Sequence, residues 1–258
     1  MAARRRTTRH HQTLACVLRR TAYGESDLII GLFTEALGQV SVLARSARRS
    51  QKRFGGNLEP LHTLAVELDE ADGSQLLYLR EAQVVNARPH LLEHLGSMEA
   101  AGRFLGWIRH AAPERTPEPE LWALLQSCLD QLDEYARQAR DAARAAAPLS
   151  APSSALGATR LLSAHGLQLL VVSGWRLELE YCVQSGERCP DGKAAMIDPE
   201  RGGLVSQAHG GAPFKVDGAT RKRLIETQNG ALALLEQDAA LALELVDRCL
   251  RAHAGLRS

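Results

Sequence analysis

Between residues 14 and 85 the apolar positions fall in short runs broken by turn residues, a strand pattern and not a helical one. Residues 14–20 open the series and lead to the turn-prone Tyr23-Gly24-Glu25. Residues 28–34 (LIIGLFT) form a buried run in which Gly31 signals a bulge or a tight bend. After Leu37-Gly38, Val40 and Val42 alternate with polar or small neighbours through residues 39–44. Residues 61–69 and 75–85 flank Ala71-Asp72-Gly73-Ser74, a good hairpin connection.

After Pro89 the period changes to that of helices. Leu91, Leu92, Leu95, Ala101, Phe104, Leu105 and Ile108 recur at helical spacing. Pro113, Pro117 and Pro119 mark a loop, and Glu118 and Glu120 then favour the start of a long helix by opposing its N-terminal dipole. That helix puts Leu121, Leu124, Leu125, Cys128, Leu129, Leu132 and Tyr135 on one face. A Pro/Ser/Ala connector (145–154) precedes further helices at 156–172, 220–229 and 238–254. Residues 176–214 are rich in Gly and turn residues, so they need a metal or packing on neighbours to organise them. The expected fold class is α+β. A basic disordered tail (1–12) leads into a five-stranded OB-fold barrel (13–88), and an all-helical domain (89–258) carries the 176–214 insertion.

Charge sharpens this division. Residues 1–54 contain eleven Lys and Arg but three acids, a net +8, and the rest of the chain carries −7. A basic segment joined to an acidic body is the pattern expected when one part meets a polyanion and the rest does not. Apolar residues (45%) and charged residues (24%) are in ordinary globular proportion, and no apolar run is long enough to span a bilayer. No apolar stretch follows the basic N-terminus, so no signal peptide is expected and the localisation expected is cytoplasmic, with nucleoid association. Five scattered cysteines in that setting do not make a disulfide framework; Cys128 and Cys249 fit as buried small hydrophobes.

The densest cationic feature is Arg45-Ser-Ala-Arg48-Arg49-Ser-Gln-Lys52-Arg53 followed by Phe54-Gly55-Gly56, a loop between two strands. Such a loop suits phosphate contacts that need charge and little base identity. With Arg4, Arg5, Arg6, Arg19 and Arg20, the cations Arg45, Arg48, Arg49, Lys52 and Arg53 are the candidate DNA-binding residues. Stacking is less well supplied: Tyr23, Phe33, Phe54 and Tyr78 are the aromatics of this half, and Phe33 is expected in the core.

Catalytic chemistry is not expected. Gly186 to Lys193 lacks the spacing and hydroxyl of a phosphate-cradling loop. His10, His11, His90, His94, His110 and His253 fit surface or capping roles, with no nucleophile, metalloprotease or paired-carboxylate signature near them. In the insertion, Cys182, Cys189 and His209 have irregular spacing for zinc, which usually uses paired C-x2-C knuckles. No cofactor is expected.

Leu18-Arg-Arg-Thr-Ala-Tyr23-Gly24-Glu25-Ser-Asp27, then Leu32-Phe33-Thr34 and Gly38, resemble the N-terminal domain of the RecO family of recombination mediators. So do Ala44 to Arg49, Asn57-Leu58-Glu59-Pro60-Leu61, and Leu77 to Ala82. The resemblance implies single-strand binding, annealing of complementary strands and loading of recombinase onto strands coated by single-strand-binding protein. RecR and that coating protein would be the partners. It also implies a four-ligand ribbon whose positions here are Cys182, Ser185, Ser206 and His209, with Gly186, Gly202 and Gly203 retained, so most ligands are absent. Two other readings of the residues stay open: an RNA-binding barrel protein, and a helical adaptor with an incidental basic tail.

Overall fold

The computed structural model describes residues 8–49, 54, 58–71, 76–145 and 154–255. The chain divides into two compact units, Met1–Pro89 with Ala112–Trp122, and His90–Ala111 with Ala123–Ser258.

The first unit is built on five strands: β1 (Thr8–Tyr23), β2 (Asp27–Thr34), β3 (Gly38–Ala44), β4 (Thr63–Ala71) and β5 (Leu77–Asn86). They close into a barrel in the order β1-β2-β3-β5-β4, all pairs antiparallel except β3 with β5. This is the OB-fold expected from the strand count. Alternation fills the interior with Ala15, Val17, Ile30, Leu32, Val40, Val42, Leu64, Val66, Leu68, Leu77, Leu79 and Ala82. Phe54 seals this core at 2% exposure, which removes it from the candidate stacking residues.

Two expectations need correction. Thr8 to Gln12 are not tail but the first residues of β1, paired with Glu67 to Ala71 of β4. His10 and His11 are held there by Asp69 (2.6 Å) and Glu70 (3.1 Å). The domain boundary at residue 89 also shifts: Phe33 is fully buried, as expected, but on the outer side of the barrel, where Ile30 and Leu32 face inward and Phe33 packs on Trp122 with ring centroids 5.8 Å apart. The 112–122 segment therefore belongs with the barrel, where Arg115 donates its backbone N–H to the Gln39 carbonyl (2.9 Å) and its guanidinium to Glu70 (2.5 Å).

The second unit contains α1 (Pro89–Glu93), α2 (Leu95–Ala111), most of α3 (Pro119–Ala145), α4 (Ser154–Val172), α5 (Gly218–Gln228) and α6 (Glu236–His253). The single helical run expected from residue 91 breaks at His94, whose Nδ1 accepts the Ser97 N–H (3.0 Å) and caps α2. Helix α4 is central and packs on α2, α5 and α6. Gly166 allows that approach, since a Cβ there would meet Trp107 at 2.8 Å and Val246 at 3.0 Å. Cys128 and Cys249 are fully buried as expected; burial pushes the Cys249 thiol up to about 11.

The insertion is organised by a small sheet of β6 (Glu178–Cys182), β7 (Ala195–Asp198), β8 (Gly203–Leu204) and β9 (Phe214–Val216), in the order β6-β8-β7-β9. Among the described residues, no helix is long and apolar enough to cross a membrane.

Candidate nucleic-acid interface

The placement of Arg19 begins with a bulge. Val17 pairs with Leu32, but the next pair is Arg19 with Gly31, so Leu18 is an extra residue in β1. Val17 points inward, and without the extra residue Arg19 would point inward too. The bulge puts it on the outer face beside Gly31, where the neighbouring strand offers no side chain to cover it. Arg20 follows on the opposite side and is engaged by Glu59 at 2.5 Å. The adjacent Arg19 and Arg20 thus lie on opposite sides of β1.

The basic loop is held at its start. Ser46 adopts φ +56°, its N–H donates to Asp27 Oδ1 (2.7 Å), and the Arg48 N–H donates to the Ser26 carbonyl (3.1 Å). The Arg48 guanidinium reaches the Glu25 carbonyl (3.2 Å), and Arg49 lies 3.8 Å from the Glu25 carboxylate. The Arg49 pair is highly exposed, so water screens it and the cation stays available. The register Tyr23 with Asp27, Leu28 with Ala44 and Leu43 with Tyr78 joins the β1–β2 turn, the loop start and the start of β5 in one rim. Tyr23 is 55% exposed on it. Arg45 lies over the Tyr78 ring, 4.8 Å from its centroid.

The other outer face of the barrel has the opposite charge. Asp69 pairs with Tyr78 and Glu67 with Glu81 across β4 and β5. Asp69 is held by His10 and lies 3.7 Å from Arg80; Glu67 accepts from Gln12 (3.0 Å). The cationic rim therefore borders an acidic face along Tyr78. This division escaped the sequence reading, although Glu67 and Asp69 alternate with Val66 and Leu68 and so mark an acidic outer face. Arg4, Arg5, Arg6, Lys52 and Arg53, and the hairpin residues Asp72 to Ser74, lie outside the described residues.

In the insertion, the four ribbon positions meet through hydrogen bonds. Cys182 is held by Ser185 and accepts the Ser206 N–H at 3.3 Å; its thiol is pushed down to about 6, chiefly by the Ser185 hydroxyl and then by backbone N–H groups. The Ser206 hydroxyl is 2.8 Å from His209 Nδ1. One thiol, one imidazole and two hydroxyls already bonded to these neighbours do not fit zinc, whose structural sites use four thiolate or imidazole ligands. Among the described residues no group of three or more His, Cys, Asp or Glu is placed to hold a metal.

A closed barrel of this strand order defines an OB-fold protein. Residues 9–88 match the family described as Recombination protein O N terminal. The DNA repair protein RecO of Anaeromyxobacter sp. (strain K) is 34% identical over 219 residues, 84% of this chain and 78% of that protein. That of Rubrobacter xylanophilus is 30% identical over 248 residues, 94% of this chain and 90% of that protein. The chain belongs to the RecO family.

Proposed function

We propose that this protein is a DNA repair and recombination mediator that works by binding single-stranded DNA and annealing complementary strands. It helps load recombinase onto strands coated by single-strand-binding protein, with that protein and RecR as partners. The reading is supported by the named relatives and carried by one observation: Arg45, Arg48 and Arg49 share a rim with the exposed Tyr23 turn, and that rim borders the acidic face along Tyr78. Annealing brings two polyanions together, and a cationic rim lowers their repulsion with no bond made or broken. Neither a cofactor nor a metal enters this mechanism, and the protein is not an enzyme in this reading.

Binding of the intact protein to single-stranded DNA, measured from low to moderate salt, tests it. Affinity should fall linearly on logarithmic axes, with a slope of about −0.7 per phosphate contact. Tighter binding to RNA of the same length would move the function to RNA. Salt-independent or undetectable binding would remove the rim from the mechanism.

A further inference from the structure

We propose that Arg45 and Tyr78 form a stacking platform for one unpaired nucleobase, which makes the barrel selective for single strands over duplex. The proposal rests on the nucleic-acid reading above and adds a contact to the base.

Tyr78 lies between the buried Leu77 and Leu79, so alternation turns its ring to the outer face, where it is half-buried. Its cross-strand partners are Leu43 on β3 and Asp69 on β4, which places it on the line where cationic rim and acidic face meet. The Arg45 guanidinium lies over this ring, 4.8 Å from its centroid, which puts a cation and an aromatic ring together at the edge of the rim. Beside it is a groove of about 450 Å3 whose polar lining is Arg45 and Arg80, the acids Glu67, Asp69 and Glu81, and Tyr78 itself. That volume falls within the roughly 300–1,000 Å3 typical of small-ligand sites.

The charges of the groove set the orientation of a strand. Arg45 continues into Arg48 and Arg49, so phosphates are favoured on the β3 side. Glu67 and Asp69 repel phosphates on the β4 side but can accept hydrogen bonds from base amino groups. A strand therefore lies with its backbone along the loop and a base turned over Tyr78 and Arg45. A duplex has its base faces already stacked and cannot present one there. Stacking of this kind is tolerant of sequence because every base has a π-face.

The test uses the intact protein, wild type and two variants, Tyr78→Leu and Tyr78→Phe. Three probes of equal length are compared across a salt series: single-stranded DNA, duplex DNA, and a single strand of abasic deoxyribose phosphate. Tyr78→Leu should bind single-stranded DNA about tenfold more weakly, with an unchanged salt slope and unchanged duplex affinity. Tyr78→Phe should keep wild-type affinity, and wild-type protein should bind the abasic strand as weakly as Tyr78→Leu binds DNA. Wild-type protein that binds abasic and normal strands equally well overturns the platform, even if Tyr78→Leu does not fold. So does a folded Tyr78→Leu with undiminished affinity. Failure of the underlying reading looks different: the wild-type protein would then show no salt-dependent affinity for any of the three probes.

Discussion

Arg19 stands on the outside of the barrel beside Gly31 because Leu18 is an extra residue in β1, and Arg20 is thereby sent to the other side, onto Glu59. The two arginines should therefore respond differently to mutation. Arg19→Ala should weaken single-strand binding and flatten the salt slope by about 0.7. Arg20→Ala should leave slope and affinity nearly unchanged, since its charge is already matched. Parallel titrations of the two variants check this, and equal losses would mean that the bulge does not separate their roles.

Phe33 and Trp122 form the contact that joins residues 112–122 to the barrel. Both rings are buried, Phe33 completely and Trp122 to 6% exposure. Removing either leaves a cavity, and truncations of buried aromatics to Ala cost about 3–5 kcal/mol. Trp122→Ala should lower the urea midpoint accordingly. A shift worth less than about 1 kcal/mol would show that the contact contributes little to holding the segment.

The same pair shows what could be read from the sequence and what could not. Local alternation in LIIGLFT and around Val40 and Val42 was sufficient to place the strands, but Gly31 lies in an unbroken register with β3, and the bulge is in β1 opposite it, between Val17 and Arg19. The outer position of Phe33 was not legible, because its cover comes from a helix far along the chain. His10 and His11 failed for the same reason: Thr8 to Gln12 have no apolar rhythm, and they become strand through backbone pairing with β4 and the carboxylates of Asp69 and Glu70. The cationic segment was visible as composition, whereas its rim, set by the Ser46 turn and by Tyr78 under Arg45, depends on pairings across the barrel. In the second unit, the helical period of α3 marked its buried face, where Leu125, Cys128, Leu129 and Leu132 are all buried, but the break at His94 depends on its capping contacts with Ser97.

Asp238 stabilises the start of α6 and predicts an acid-sensitive step. Its carboxylate accepts from Arg223 (2.6 and 2.8 Å), from Thr220 (3.2 Å) and from the Leu235 N–H (3.0 Å). Arg223 beside it holds the carboxyl below its ordinary value of 3.8. A carboxyl with a lowered folded value adds stability that is fully present above about pH 4 and is lost as pH falls through that lowered value. Asp238→Asn should cost roughly 2 kcal/mol at neutral pH. It should also give a shallower decline in stability below pH 4 than the wild type. Denaturation curves at pH 7 and in steps below pH 4 measure both; parallel declines would exclude Asp238 as the titrating group.

The insertion should fold without metal. Ser185 bonds to Cys182 and Ser206 to His209, so the positions that would hold an ion hold each other. The purified protein should carry well under one zinc per chain, and a chelator should leave its melting temperature unchanged. Elemental analysis finding stoichiometric zinc that disappears in Cys182→Ser would reverse this conclusion.

The last prediction concerns Arg45, Arg48 and Arg49. A loop anchored by Ser46 and Arg48 backbone bonds holds these side chains in one place, so their charges act together on a passing strand. Each phosphate that an arginine engages releases counterions, and the salt slope for a single strand flattens by about 0.7 for each phosphate no longer engaged. Replacing Arg48 and Arg49 by Ala should flatten the slope by up to about 1.4, and adding Arg45→Ala should bring the change to about 2. The double variant should weaken all base sequences about equally, because phosphates carry no sequence information. Its thermal stability should stay near wild type, since among the described residues the Arg49 side chain makes an exposed ion pair with Glu25 and the Arg48 side chain one bond to the Glu25 carbonyl. Arg45→Ala should add a further weakening that the slope does not record, because it also strips the cover from Tyr78. Annealing rates should fall in step with affinity. A double variant with wild-type slope and affinity would make the loop a solvated connection between β3 and β4, and the case for the rim as the binding surface would fail with it.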